Sequence, residues 1–158
     1  MNLKLSDFLL LNNTNLPNVV LINANEDYTS AIHYTTCHIK QSINNINLHS
    51  FIVDRYFKFD TIYDILNSTS LFDDKNYIEL NYKTKPIQEH QTVLKNIYPL
   101  LQKSNYLVII TDYLNKREQT SKWVDLINQH GAIVTLNDSI LPQLISNILR
   151  SYNLNISN

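Results

Sequence analysis

Five short runs rich in β-branched and aromatic residues recur along the chain, and stretches with apolar residues at helical spacing separate them. The runs are NVVLINA (18–24), LHSFIVD (48–54), NYIELNY (76–82), YLVIITD (106–112) and AIVTLN (132–137). A sheet whose strands alternate with helices of this length closes most simply as a parallel sheet, because each helix carries the chain back to the starting edge. The reading is therefore an α/β fold: a five-stranded, mainly parallel sheet with helices on both faces. The run at 106–112 is the most continuously apolar, which predicts a central strand covered on both sides. In 76–82, Tyr77, Glu79 and Asn81 alternate with Ile78, Leu80 and Tyr82, which predicts one wetter face.

The intervening segments predict helices. Residues 26–44 offer Ile32, Cys37 and Ile39 to an inward face, and 59–67 repeat Phe59, Ile62, Ile65 and Leu66, with Asp60 suited to the first turn. Pro86 opens a helix to about 103 with a stripe of Ile87, Val93, Leu94, Ile97, Leu100 and Leu101. Residues 116–130 form another, stopped by Gly131 as a glycine just past a helix end. A last helix is expected over 140–152, with Pro142 in its first turn and Leu144, Ile145, Ile148 and Leu149 facing inward. A short amphipathic segment, 3–10, precedes the first strand.

The 158 residues, 44% apolar and 17% charged, suit one compact domain and a tail. A formal net charge of −1 supplies no overall basic field, so direct nucleic-acid binding is not expected. Cys37 is the sole cysteine and can form no internal disulfide; with no leader pattern and no apolar run long enough for a bilayer, a cytoplasmic, membrane-free protein is expected. Gly131 is the sole glycine, while asparagine is abundant and can fill left-handed turn positions.

Familiar site chemistries are incomplete. The loop after the first strand, NANEDYTSA, has neither glycine nor lysine, so it cannot wrap amides around a phosphate, and Glu26 and Asp27 would repel one. Those two acids suit a Mg²⁺-binding phospho-receiver, but the later loops, NYKTKP and LNDS, lack the aspartate and lysine that this chemistry requires. His33 and Cys37 share a helical face, with His38 beside them, but two ligands do not close a metal site. NKREQTSKW (115–123) mixes cations with an aromatic residue, yet Glu118 and the nearby Asp125 interrupt it, and Trp123 is expected to face the core.

One stretch fits none of these patterns. STSLFDDK (68–75) sets Leu71 and Phe72 side by side, where a helix would space them three or four apart and a half-buried strand would alternate them. The run SLFDDKNYIELNY, followed one helix later by SNYLVIITDYLNKREQTSKWVDLINQHGAIVTLNDSILPQLISNIL, resembles the delta subunit of the bacterial DNA polymerase III clamp loader. VVLINANED and FIVDRYFKFDTIYDIL fit the first two strands and the following helix of that family.

The resemblance implies an AAA+-like domain without ATP binding (1–138), then the first helix of a truncated helical domain (139–158). It implies no catalysis, cofactor or metal. The implied role is to grip and help open the beta sliding clamp through a Leu-Phe wedge, Leu71 and Phe72 preceded by Ser70, with Asp73 and Asp74 as a cap or polar rim. In a full-length context the partners would be the ATP-binding motor subunits and the delta-prime subunit of the holoenzyme. The rival readings are a receiver-like signalling domain, an orphan nucleotide hydrolase, or another non-catalytic α/β interaction module.

Overall fold

The structure, a computed structural model, describes residues 1–12, 14–68, 75–101 and 105–137. Twelve elements run in the order β1 (Asn2–Leu3), α1 (Leu5–Phe8), β2 (Val19–Asn23), α2 (Thr29–Gln41), β3 (Ile46–Val53), α3 (Asp60–Asn67), β4 (Lys75–Tyr82), α4 (Gln88–Ile97), β5 (Asn105–Thr111), α5 (Lys116–Gln119), α6 (Lys122–His130) and β6 (Ala132–Thr135). They form one six-stranded sheet in the order β1-β6-β2-β5-β4-β3, and every pairing is parallel.

Residue alternation along the strands builds two cores. Val20, Ile22, Val108, Ile110 and Val134 face α1 and α2, packing with Leu5, Phe8, Ala31 and Ile39. Val19, Leu21, Leu107, Ile109 and Ile133 face the other way, with Ile62 and Leu66 of α3, Leu94 and Ile97 of α4, and Trp123, Val124 and Ile127 of α6. All seven residues of β5 are buried, as its continuous apolar run predicts for a doubly covered strand.

The sheet has six strands where five were expected. The extra one, β1, is two residues long and too short to show alternation; backbone pairing makes it, with Asn2 and Leu3 beside Ile133 and Val134 and the Ile133 amide donating to the Met1 carbonyl at 2.8 Å. The terminal ammonium donates to the carbonyls of Asn128 and Gly131, closing the edge.

The wetter face expected for β4 is absent. Tyr77 and Glu79 are buried, because Lys40 reaches across from α2 and caps them. Lys40 Nζ lies 2.9 Å from Glu79 Oε2 and 5.0 Å from the Tyr77 ring centroid. The Tyr77 hydroxyl donates to Glu79 Oε2 at 2.8 Å, Asn81 Nδ2 to Oε1 at 2.9 Å and Ser50 Oγ to Oε1 at 3.3 Å. Burial pushes the Glu79 carboxyl up, but the bonds from Asn81, Lys40 and Tyr77 and the Lys40 charge outweigh it and hold the pKa below the ordinary value. Burial, with Glu79 beside it, pushes the Tyr77 phenol far up.

Helix boundaries differ where local chemistry intervenes. The segment expected to be helical from 26 starts as a 3₁₀ turn, Glu26–Tyr28, and on α2 the buried residues are Ala31, Thr35, Thr36 and Ile39, with Ile32 and Cys37 half-buried. Pro99 lacks an amide donor, and α4 gives way at Tyr98–Leu100 to a 3₁₀ turn. The stretch 116–130 is two helices: Asn115 and Glu118 form a capping box on α5, and the chain breaks at Thr120 and Ser121 before α6. The helix expected over 140–152 lies outside the described residues.

Gly131 follows α6, but its backbone is extended (φ −129°, ψ −157°), not left-handed. Space explains the glycine: a Cβ there would sit 2.4 Å from the Val19 carbonyl oxygen. The left-handed position is Asn45 (φ 54°), between α2 and β3, as the asparagine-rich composition allowed.

Two outcomes are expected. Gly131→Ala forces β2 and β6 apart and lowers stability by about 1–3 kcal/mol in urea unfolding. Glu79, with its folded pKa depressed, stabilises the fold at pH values above its unfolded pKa, and that contribution disappears as pH falls through the folded value. The thermal midpoint therefore drops on acidification below the ordinary carboxylate range, and Glu79→Gln flattens that drop while costing about 1–3 kcal/mol at neutral pH.

Candidate functional site

The sequence-derived site, Ser70, Leu71, Phe72, Asp73 and Asp74, lies outside the described residues; its two anchors do not. On the near side α3 is pinned by buried Ile62 and Leu66, and ends with the Ser68 amide donating to the Asp64 carbonyl at 3.0 Å and Ser68 Oγ to the Ile65 carbonyl at 2.7 Å. On the far side the Lys75 amide donates to the Asn45 carbonyl at 2.9 Å, and Lys75 pairs in register with Ile46 while its ammonium lies 6.0 Å from the Tyr106 ring centroid. Because all strands are parallel, Lys75 stands at the rim where strands begin.

At the opposite rim, where nucleotide sites of parallel sheets sit, there is an open cleft of about 440 Å³ lined by Ala24, Asn25, Ile32, Tyr82, Lys83, Ile110, Thr111 and Asp112. The polar strand tips there are engaged with one another. Asn23 Oδ1 accepts from the Leu114 amide at 2.7 Å, its Nδ2 donates to Thr135 Oγ1 at 3.3 Å, and Thr111 Oγ1 donates to the Thr84 carbonyl at 3.4 Å. The sole glycine, Gly131, precedes β6 at the other rim and does not line the cleft. Asp27 sits exposed in the 3₁₀ turn after β2.

The remaining sequence candidates are accounted for by ordinary structure. His33 is exposed and Cys37 half-buried, with Sγ 3.5 Å from His33 Nε2. His38 turns away, its Nε2 3.2 Å from the Leu11 carbonyl and its ring edge-on to Phe8; burial lowers its pKa while the Leu11 bond opposes that shift. Among the described residues no three His, Cys, Asp or Glu side chains gather as metal ligands. In 115–123, Trp123 is in the core and Glu118 pairs with Lys85 at 2.8 Å, so this stretch by itself presents no aromatic to a ligand. No described helix is long and apolar enough to cross a membrane. Sequence reasoning missed the Lys40–Glu79 pair; its one visible signal is a carboxylate inside an otherwise apolar strand.

With two neighbouring ligands instead of a closed set, Zn²⁺ at micromolar concentration is expected to leave the thermal midpoint unchanged to within about 1 °C. A differential scanning fluorimetry titration checks this.

The family model of the DNA polymerase III delta subunit matches residues 36–137. Among solved structures, the Bacillus subtilis DNA clamp loader delta protein superposes with a TM-score of 0.65 at 12% identity, covering 88% of this chain and 44% of that one. The chain thus spans less than half the length of that structure, and at this identity the likeness establishes the fold. No curated protein matches the chain.

Proposed function

This chain belongs to the DNA polymerase III delta subunit family, and from that premise we propose that it is the clamp-contacting domain of a clamp-loader delta subunit, seating Leu71 and Phe72 in an apolar pocket of the beta sliding clamp. The observation that carries the reading is the family match over 36–137, which includes the Ser-Leu-Phe-Asp-Asp run. The two flanking anchors support it: α3 ends pinned at Ser68 and β4 begins paired at Lys75, so the six residues 69–74 are all that joins them. Two adjacent large side chains have no common core face to share under either helical or strand periodicity.

Burying Leu71 and Phe72 in a partner supplies about 1.5–3 kcal/mol each, enough for a compact hot spot. Ser70, Asp73 and Asp74 then form its polar border. Ring opening needs no bond chemistry from this domain; it needs tighter binding to the opened or strained clamp than to the closed one, since equal affinity shifts nothing. In this reading ATP acts on the motor subunits, with which, like the delta-prime subunit, a delta subunit assembles.

The test is retention of purified beta clamp by the immobilised chain. Replacing Leu71 and Phe72 together with alanine is expected to weaken binding by more than about a hundredfold, a few kcal/mol, while circular dichroism and the thermal midpoint stay near those of the unaltered chain. Equal retention by the two proteins removes the assignment.

A further inference from the structure

The two edges of the sheet are unlike. β1, at one end, is two residues long, whereas β3, at the other, runs for eight residues and has a strand partner on one side alone among the described residues. Its register with β4 is unbroken from Ile46 beside Lys75 to Val53 beside Tyr82, so no bulge bends it. The run INLHSFIV (46–53) contains no proline, lysine, arginine, aspartate or glutamate. Bulges, prolines and charges are what keep an open edge from pairing, and β3 has none of them.

The free backbone groups of this edge can be assigned. The Asn45 and Val53 carbonyls accept from the Lys75 and Lys83 amides at 2.9 and 3.4 Å, so the odd-numbered residues of the strand turn their backbone to β4. The amides and carbonyls of Leu48, Ser50 and Ile52 therefore point outward. The side chains of the same three residues share the face of the sheet on which Ile46 joins the core under α2, but they lie beyond that helix. Leu48 is 59% exposed and Ile52 66%. Two large apolar side chains thus flank Ser50 on a strand whose backbone is open beside them.

We propose that β3 is a pairing edge for a second copy of this chain: two β3 strands join antiparallel about a two-fold axis at Ser50, and the two six-stranded sheets fuse into one. Self-complementarity selects this occupant. Of the registers that set outward-pointing groups against each other, the one with Ser50 opposite the partner's Ser50 places Leu48 opposite the partner's Ile52 and Ile52 opposite the partner's Leu48. All four exposed apolar side chains then meet on one face as cross-strand pairs. On the other face His49 meets the partner's Phe51 instead of its own counterpart, and an uncharged strand confronts no like charge along its length. A parallel pairing about a two-fold along the strands would turn the partner's sheet over and leave the apolar side chains on opposite faces. Size sets the strength: an edge of eight residues is about 26 Å long and offers less than the roughly 800 Å² per partner of a standard interface, so the pair forms and separates with concentration. The proposal is independent of the clamp reading, because it uses neither Leu71 nor Phe72.

The experiment is sedimentation velocity of the 158-residue chain from about 1 to about 300 µM, with Ile52→Lys and Leu10→Lys beside it. Expected are a shift from the mass of one chain to that of two as concentration rises, association at least tenfold weaker for Ile52→Lys, and no change for Leu10→Lys, an apolar residue 79% exposed outside β3. Cysteines read the register. In a Cys37→Ser background, Ser50→Cys is expected to cross-link two copies under mild oxidation, since the Cα atoms of such a facing pair stand about 5.5 Å apart. Asn47→Cys is expected not to, because six residues of offset hold its two copies about 20 Å apart. Circular dichroism verifies that each variant is folded. A chain that stays monomeric over the whole range overturns the proposal, as it would if the edge served a strand of another protein. So does Ile52→Lys associating like the unaltered chain, Leu10→Lys weakening association equally, or Asn47→Cys cross-linking as readily as Ser50→Cys.

Discussion

The central strands β2 and β5 are buried on both faces, and the rest of the molecule follows from covering them. Val19, Leu21, Leu107 and Ile109 point into one core while Val20, Ile22, Val108 and Ile110 point into the other, so helices are needed on each side. Each link between successive strands must then cross a face of the sheet and return, which makes every pairing parallel. A parallel sheet has two unlike rims, one gathering strand starts and the other strand ends. They stand about 23 Å apart for a strand the length of β5, which spans Asn105–Thr111.

Where the helical cover thins, specific contacts replace generic burial. The Lys40–Glu79 pair seals the margin of the α2 layer, and the Tyr77 hydroxyl, Asn81 and Ser50 fill the remaining capacity of the carboxylate, so a buried charge is tolerated there. One strand further out, Leu48 and Ile52 of β3 are left exposed at the sheet edge. At the far side, the terminal ammonium and β1 close the edge of β6, and Gly131 permits its approach to the Val19 carbonyl.

At the strand-end rim the polar groups at the strand tips, Asn23 and Thr111, bond to Leu114, Thr135 and Thr84.

The sequence by itself determined the layered α/β plan, the central place of β5, the inward turn of Trp123 and the lack of a phosphate loop, because these rest on periodicity and residue type within one segment. The Leu71–Phe72 pair was legible as an anomaly for the same reason. Tertiary structure decided what depends on residues far apart in the chain: a two-residue sixth strand formed by backbone pairing, a carboxylate buried in β4 because Lys40 arrives from α2, and a glycine kept for its distance to Val19 instead of its dihedral angles. No local pattern encodes such proximities, since the sheet order that creates them is a property of the packed whole.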